Sequence, residues 1–378
     1  MATLDKFRQV VDNRHDYARN WKSETGGKVC GCICANVPEE YIYAGGALPV
    51  RILPDPKTPQ NLAKDHIQAN KCAMCRGCLE EGLRGRYDYI DGLVYVQGCL
   101  SQSLTFSSWV MHVPSAWNYR MFQPFRQDIP AARKIYSDFL EEFRLSFEKW
   151  LGSPISEESL AKSVAIYREN RKLMEQVYEL RKKHPPLISG SDAQRMVLAS
   201  MLMDKKEHND LLRQLLQEMR GIRQPSNDRP RIMLIGSGIA PVDFTELVES
   251  VGADVVIEDH CLGVRYFWGD DVIDERPTSA IITYYHEKKP QCAYQDWSGE
   301  KAQKRVSQLA KEYDAEAVIW LEQVFCGTNQ WQIPEDIAMF EKKGIPILRM
   351  QRGRSIPQGR FRPQLEAFLE KNKGKKVG

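Results

Sequence analysis

Short apolar runs alternate with amphipathic segments in two separate parts of this sequence. In the first part, three runs read as buried strands: "KVCGCICANV", "LPVRIL" and "DGLVYVQG". In the second part, four runs have the same character: "RIMLIGSG", "ADVVIED", "AEAVIWLE" and "IPILRM". Segments such as "PEEYIYAGG", with Pro38 at its start, and "PVDFTELVESVG" read as the helices between them. Strands that alternate with helices form βαβ units, and such units build parallel sheets.

The chain between these two parts has a helical period instead. The segment "AARKIYSDFLEEFRLSFEKWL" puts five large apolar side chains on one helical face: Ile135, Phe139, Phe143, Phe147 and Trp150. Ser156 is placed to cap a second helix, and "SDAQRMVLASML" and "KEHNDLLRQLLQEM" predict two more. We interpret the aromatic face as core.

The predicted fold is therefore α/β, with two doubly wound parallel-sheet domains of the Rossmann or flavodoxin type and a helical region between them. The expected boundaries are an N-terminal helix over 1–27, a first α/β domain over 28–129, the helical region over 130–225 and a second α/β domain over 226–378.

The charge pattern and apolar content argue against several classes of protein. The net charge is only +3 and basic residues interleave with acidic ones, so no nucleic-acid partner is predicted. No stretch approaches the roughly 18 apolar residues of a membrane span, and the N-terminus lacks the apolar core of a secretory signal. We expect a cytoplasmic protein without a membrane segment. Its ten cysteines are then reduced thiols that can pack in a core or bind metal.

Three cysteines lie where a fold of this class binds ligands, namely beyond the carboxyl ends of strands. Cys99 and Cys326 each follow a predicted strand. Cys72 lies just before a predicted helix over 73–83, where the positive end of the helix dipole favours a thiolate. Three thiolates from such positions suit an iron–sulfur cluster. Burial as small apolar side chains is the alternative for Cys99 and Cys326.

Cys75 and Cys78 continue from Cys72 in a C-x-x-C-x-x-C run. Bacterial ferredoxins extend such a run to a fourth cysteine followed by proline, and a zinc site needs a second pair of cysteines at a similar spacing. This sequence has neither continuation. On a helix, Cys75 and Cys78 point toward the domain interior, so only one of the three needs to be a ligand.

Two further motifs are weaker. Cys30, Cys32 and Cys34 fall on one face of a predicted strand, where core sulfur is the default interpretation and only Cys34, nearest the carboxyl end, stays a candidate ligand. Gly236 and Gly238 follow another strand without the third glycine of a dinucleotide-binding motif. They predict a turn that brings the backbone close to some ligand.

Together these segments resemble the 2-hydroxyacyl-CoA dehydratase D-component superfamily. Within it they are most similar to the smaller (gamma, or C) catalytic subunit of class I, ATP-dependent benzoyl-CoA reductases. The resemblance runs from about Trp21 onward and rests on segments that include "GGKVCGCICANVPEEYIYAGGALPVRI", "YDYIDGLVYVQGC", "GADVVIEDHCLGVRYF" and "AEAVIWLEQVFC". It implies a [4Fe–4S] cluster held by Cys72, Cys99 and Cys326. Two positions depart from the family pattern: Leu100 follows Cys99 where the family often has Asp, and "RMQRGRS" is basic where an acidic residue is expected.

The resemblance also implies an enzyme, an oxidoreductase that delivers low-potential electrons to the aromatic ring of a CoA thioester and forms a cyclohexadiene-carbonyl-CoA. The implied partners are a homologous larger catalytic subunit, ATPase activator subunits with their own cluster, a ferredoxin as electron donor and an aromatic acyl-CoA substrate. The absence of a G-x-x-x-x-G-K-[ST] motif in this chain agrees with ATP hydrolysis on a partner. The alternatives are a 2-hydroxyacyl-CoA dehydratase subunit, which uses the electron without net reduction, and an electron-relay subunit that makes no contact with substrate.

Overall fold

The computed structural model describes residues 2–372 except 224, 239–241, 270, 271, 273, 275 and 297. These residues form two four-stranded sheets, and every strand pairing in them is parallel. The first sheet has the order β2-β1-β3-β4, with β1 (Val29–Ile33), β2 (Leu48–Arg51), β3 (Gly92–Val96) and β4 (Trp117–Met121). The second has the order β6-β5-β7-β8, with β5 (Arg231–Gly236), β6 (Asp254–Asp259), β7 (Ala317–Gln323) and β8 (Ile347–Arg352). The prediction of two Rossmann-like parallel sheets is confirmed.

Helices connect the strands. Around the first sheet they are α1 (Ala2–Asp12), α2 (Arg14–Thr25), α3 (Glu39–Ala44), α4 (Ala73–Leu83) and α5 (Leu100–His112). Between the sheets come α6 (Ala132–Leu151), α7 (Glu157–Glu179), α8 (Gly190–Ser200) and α9 (Lys205–Glu218). Around the second sheet they are α10 (Asp243–Ser250), α11 (Val264–Phe267), α12 (Pro277–Ile282), α13 (Glu300–Glu312), α14 (Gly327–Gln330), α15 (Ile333–Lys342) and α16 (Gln358–Asn372). A π-helical turn, Thr283–Lys288, follows α12.

Local signals define several of these helix ends. Ser156 caps α7, where its side chain accepts a hydrogen bond from the backbone N–H of Ser159, as the sequence predicts. Gly152 ends α6 in the left-handed conformation at φ 83°. The predicted N-terminal helix consists of two helices, α1 and α2, that meet at Asn13.

The predicted apolar face of α6 is correct only in part. Phe143 and Phe147 are buried, but Ile135 is 38% exposed, and Tyr136 and Leu140 are buried in its place. Tyr136 is drawn inward because its ring stacks on His286 of the π-helical turn. Both sides of the helix carry apolar residues, so the partner decides which side is covered.

The largest apolar cluster joins the two α/β units through the helices between them. It contains Leu93 of the first sheet, Met174 and Met196 of α7 and α8, and Met233 and Trp320 of the second sheet. All five are buried. Burial of apolar area on this scale is the dominant favourable contribution to folding, and here it also fixes the two sheets relative to one another.

None of the helices in the described ranges is long and apolar enough to cross a membrane.

Candidate functional site

The carboxyl ends of the central strands of both sheets border one cavity. In the orders β2-β1-β3-β4 and β6-β5-β7-β8, the chain goes to one side of the sheet and then to the other, so β1/β3 and β5/β7 are the switch points where such folds bind ligands. Cys34 follows β1, Cys99 follows β3, Ser237 follows β5 and Cys326 follows β7. All four line a cavity of about 100 Å³, here called the thiol cavity.

Cysteine dominates the described lining of the thiol cavity. Seven of the ten cysteines contribute to it: Cys34, Cys72, Cys75, Cys99, Cys261, Cys292 and Cys326. The structure thus brings together the three residues that the sequence predicts as cluster ligands. Cys78 is buried outside the lining, with its thiol directed at the backbone oxygen of Ile52 at 3.7 Å. Cys30 and Cys32 pack in a separate apolar cluster, as predicted for core sulfur.

Cys72 and Cys99 each occupy the residue before a helix, at the start of α4 and α5. Backbone N–H groups of the first turn point at each sulfur, those of Met74 and Cys75 at Cys72 and those of Ser101 and Gln102 at Cys99. Hydrogen bonding with the Cys75 thiol and with these N–H groups lowers the pKa of Cys72, and it lowers the pKa of Cys99 to about 7. Both sites therefore favour the thiolate, which is the form that binds metal.

Cys75 lies on the first turn of α4, between these two sulfurs. Its thiol is within hydrogen-bonding reach of both Cys72 and Cys99, and these two interactions, with burial, raise its pKa well above the ordinary value. Because a thiol that keeps its proton is a donor rather than a metal ligand, the environment of Cys75 differs in kind from that of Cys72 and Cys99.

Cys326 reaches the cavity from the second sheet. The chain leaves β7 at Gln323, and Phe325 then adopts a left-handed conformation at φ 64°, which is rare for a bulky side chain. Asn329 donates from Nδ2 to the Cys326 sulfur at 3.3 Å. Burial and the neighbouring Cys72 raise the pKa of Cys326 to about 11. This sulfur therefore becomes a thiolate at neutral pH only with a cation bound, as coordination to a metal provides.

Cys34 is not on the strand that the sequence predicts for it. The strand β1 ends at Ile33, and Cys34 follows in a left-handed conformation at φ 95°, which turns its side chain away from the face of Cys30 and Cys32 and into the cavity lining. Strained backbone of this kind costs energy and concentrates at functional sites.

Cys261 and Cys292 escaped prediction. Cys261 comes two residues after the end of β6, so the same rule that selects Cys99 and Cys326 could have found it. Cys292 follows Pro290 in a loop after the π-helical turn, and no local pattern in the sequence distinguishes it.

The close backbone approach predicted at Gly236 is present. Gly236 ends β5 at φ 132°, and a Cβ atom there would lie 2.3 Å from the backbone oxygen of Leu321 on β7. Only glycine fits this position, and both Gly236 and Gly238 line the thiol cavity. The rest of this turn, residues 239–241, lies outside the described residues.

A wider cleft of about 480 Å³, here called the outer cleft, shares Cys72, Cys99 and Cys326 with the thiol cavity. Large apolar side chains line it: Leu100, Phe125, Tyr294, Phe325 and Trp331. Four of these are 40% or more exposed (Leu100, Phe125, Phe325 and Trp331). The rings of Phe125 and Tyr294 meet edge to face at 5.2 Å. Such a mouth suits an apolar, aromatic ligand.

The charged residues in the described lining of both spaces are all basic. Lys71 lines the outer cleft, Arg51 and Arg265 line the thiol cavity, and no Asp or Glu is among the described lining residues. Arg352, the last residue of β8, is buried and close enough to Cys72 for their charges to interact. It lies in the basic segment "RMQRGRS", where the family pattern has an acidic residue. The cavity therefore favours an anionic occupant.

The donor set fits a cluster better than a single ion. No group of three or more His, Cys, Asp or Glu side chains in the described ranges is arranged to hold one metal ion. A four-iron cluster needs no such convergence, because it places each thiolate on a separate iron, and its ligands need only line one cavity. Cys72, Cys99 and Cys326 would hold it.

The comparisons with known proteins agree with the fold and the cavity. The family model of the 2-hydroxyglutaryl-CoA dehydratase D-component matches residues 34–372. The chain is 24% identical to the (R)-phenyllactyl-CoA dehydratase beta subunit of Clostridium sporogenes, over 98% of this chain and 100% of that one. It is 26% identical to one of the benzoyl-CoA reductase subunits of Thauera aromatica, over 82% and 81%. It is 21% identical to the (R)-2-hydroxyglutaryl-CoA dehydratase beta subunit of Acidaminococcus fermentans, over 98% of each chain.

Proposed function

The chain belongs to the 2-hydroxyglutaryl-CoA dehydratase D-component family, and from that premise we propose that it is the smaller, cluster-binding subunit of an ATP-dependent benzoyl-CoA reductase. Its relatives are subunits of enzymes that act on CoA thioesters. The observation that carries the proposal is the meeting of Cys72, Cys99 and Cys326 at one cavity beneath an aromatic cleft.

A [4Fe–4S] cluster in this cavity would supply single electrons at low potential, which no amino-acid side chain does readily. The protein's own part is to hold and shield. The N–H groups at the starts of α4 and α5 stabilise the thiolates of Cys72 and Cys99, and Cys326 adds a third sulfur from the other sheet. Burial keeps water away from the thiolates, since Cys72 is only 5% exposed.

The outer cleft supports an aromatic acyl group as the substrate class. Phe125, Tyr294 and Trp331 present ring faces and edges next to the three sulfurs. An aromatic ring held against them gains edge-to-face and stacking contacts as well as buried area. The substrate would then lie close to the source of electrons, as transfer between them requires.

The partners are part of the proposal. A homologous larger subunit would complete the active site, and an ATPase activator with its own cluster, fed by a ferredoxin, would deliver the electrons. Two observations support this: the relatives in the comparisons are named as subunits of larger enzymes, and this chain has no P-loop motif.

The test is product analysis with the assembled enzyme. The chain is purified without oxygen together with its homologous partner subunit and the ATPase activator, and supplied with ATP, reductant and benzoyl-CoA. We expect about four irons and four acid-labile sulfides per chain, and a ring-reduced dienoyl-CoA formed at the expense of two electrons. Stoichiometric zinc without labile sulfide would rule out the cluster.

A 2-hydroxyacyl-CoA dehydratase subunit is the second candidate, favoured by the match along 98% of the chain to the (R)-phenyllactyl-CoA dehydratase beta subunit. The same preparation distinguishes the two reactions, because dehydration of an aryl 2-hydroxyacyl-CoA releases water with no net consumption of electrons. A subunit that only relays electrons gives a third result: acyl-CoA leaves its cluster EPR signal unchanged.

A further inference from the structure

Arg51 is a buried cation at the wall of the thiol cavity, and no described carboxylate neutralises it. It is the last residue of β2, opposite Cys32 in the register of the sheet, and is 4% exposed. Its backbone N–H donates to the oxygen of Met201 at 2.9 Å. Within the described part of the chain, its side-chain Nε and Nη1 atoms have no hydrogen-bond partner.

Other buried arginines of this protein are paired. Arg181 contacts Glu258 at 2.8 Å, and Arg265, which also lines the cavity, contacts Asp259 at 2.9 Å. Among the described residues, no carboxylate forms an ion pair with Arg51. An isolated charge in the interior is strongly unfavourable, so the guanidinium indicates that an anion shares the cavity when the site is complete.

The thiols that surround Arg51 indicate which anion this is. Burial raises the pKa of Cys34, and the Arg51 charge acts in the opposite direction on it, so the guanidinium faces the sulfurs at the end of β1. A four-iron cluster with three thiolate ligands carries a net negative charge, and one added electron makes it more negative. The charge on such a cluster and the cations near it are among the determinants of its reduction potential.

We propose that Arg51 is the counter-cation of the cluster in the thiol cavity and raises its reduction potential by stabilising the reduced state. The inference rests on the proposed function, because it requires the cluster. The step concerned is transfer of one electron from a low-potential one-electron reductant to the cluster, with no bond formed or broken. Arg51 tunes that step from the wall and does not touch the reacting atoms, so it is a positioning residue.

The test compares Arg51→Met with Arg51→Lys in the full chain, purified without oxygen and loaded with iron and sulfide. The reduction potential is read from the cluster EPR signal during a titration with titanium(III) citrate. Loss of a unit charge at several Å, at an effective dielectric constant of about 20, should lower the ratio of reduced to oxidised cluster at a fixed potential by on the order of tenfold. This corresponds to about 59 mV. Arg51→Lys keeps the charge and should shift the potential by less than half as much.

Unfolding of the cluster-free protein supplies the second readout. Without the cluster, Arg51 is an uncompensated buried charge, so cluster-free Arg51→Met should unfold at an equal or higher urea concentration than the wild type. A guanidinium that only supports the fold gives the opposite result. An unchanged potential in Arg51→Met, or equal shifts in both variants together with destabilised cluster-free Arg51→Met, would overturn the inference while leaving the cluster itself in place. Wild-type protein without acid-labile sulfide would overturn the proposed function and this inference together.

Discussion

The thiol of Cys75 lies within hydrogen-bonding reach of the thiol of Cys99, although the two residues belong to different helices. The helices are held together at this point, because the Thr105 hydroxyl of α5 donates to the backbone oxygen of Cys75 at 3.0 Å. Cys75 therefore belongs to the thiol cavity by position, while its environment favours the protonated thiol. Proximity and ligation make different predictions for this residue.

Replacement of single cysteines separates the ligands from their neighbours. In Cys72→Ala, Cys99→Ala and Cys326→Ala, iron content and activity should fall together, because each removes a thiolate from the cluster. Cys75→Ala and Cys78→Ala should keep their iron and lose about 1 kcal/mol of unfolding free energy as small core truncations. Iron and labile sulfide assays on anaerobic preparations measure this. Full iron in Cys326→Ala together with loss of iron in Cys75→Ala would instead place the site in the local C-x-x-C-x-x-C run.

Two phenylalanines of the same segment give a matched test of the outer cleft. Phe125 is 49% exposed and lines the cleft, whereas Phe122 is 45% exposed and packs on Phe139 away from it. Phe125→Ala should weaken binding of an aromatic acyl-CoA by about tenfold through the loss of ring contacts. Phe122→Ala should leave binding unchanged. Michaelis constants for the assembled enzyme measure the difference, and equal effects would mean that the cleft does not hold the acyl group.

Substitution of Gly236 should damage the fold at the switch point. In Gly236→Ala the new Cβ atom meets the Leu321 oxygen at 2.3 Å, and alanine also disfavours φ 132°. We expect a loss of about 3 kcal/mol in unfolding free energy. Gly359→Ala is the control, since its Cβ atom has no neighbour within 4 Å on α16, and it should be neutral or stabilising. Urea denaturation of both variants measures these changes.

Asp336 of α15 should make stability depend on pH. Burial raises the pKa of its carboxyl to about 7, and its Oδ1 atom has no hydrogen-bond partner in the described structure. The folded state therefore binds a proton that the unfolded state releases near pH 4. The contribution to stability is complete below that pH and is lost as the pH rises through 7.

Asp336→Asn should remove this dependence. Because the amide carries no charge at any of these pH values, the variant should be more stable than the wild type at pH 8, by on the order of 2 kcal/mol. Glu335→Gln changes an exposed carboxylate of the same helical turn and should leave the slope unaltered. Unfolding free energies between pH 5 and pH 8 (roughly the range between the two pKa values) measure the slope. Parallel curves for the wild type and Asp336→Asn would contradict the prediction.

The sequence predicts the central strands well because they are buried on both faces. The strands β1, β3, β5 and β7 are buried at every residue, so each is a continuous apolar run. The edge strand β4 is half-buried and contains Asn118 and Arg120. The apolar run "RMFQPF" therefore directs attention to its end, and the strand itself begins earlier, at Trp117.

The candidate site is predictable only as far as the chain carries a local signal. Cys99 and Cys326 follow apolar strands and Cys72 precedes a helix, so their positions can be read from neighbouring residues. Arg51 and Cys292 enter the cavity through the packing of two sheets against one another. No pattern of spacing encodes that packing, and their roles depend on it.

The origin of the three sulfurs in two different sheets sets an order of events during synthesis. Cys72 and Cys99 are made and can fold with β1 to β4, but Cys326 leaves the ribosome more than two hundred residues later. Iron and sulfide can be captured by all three only after β7 has joined the second sheet. Until then the first two thiols stand exposed to any oxidant or stray metal. The cell must therefore make this protein where thiols stay reduced, and loading of the cavity is the last step of its maturation.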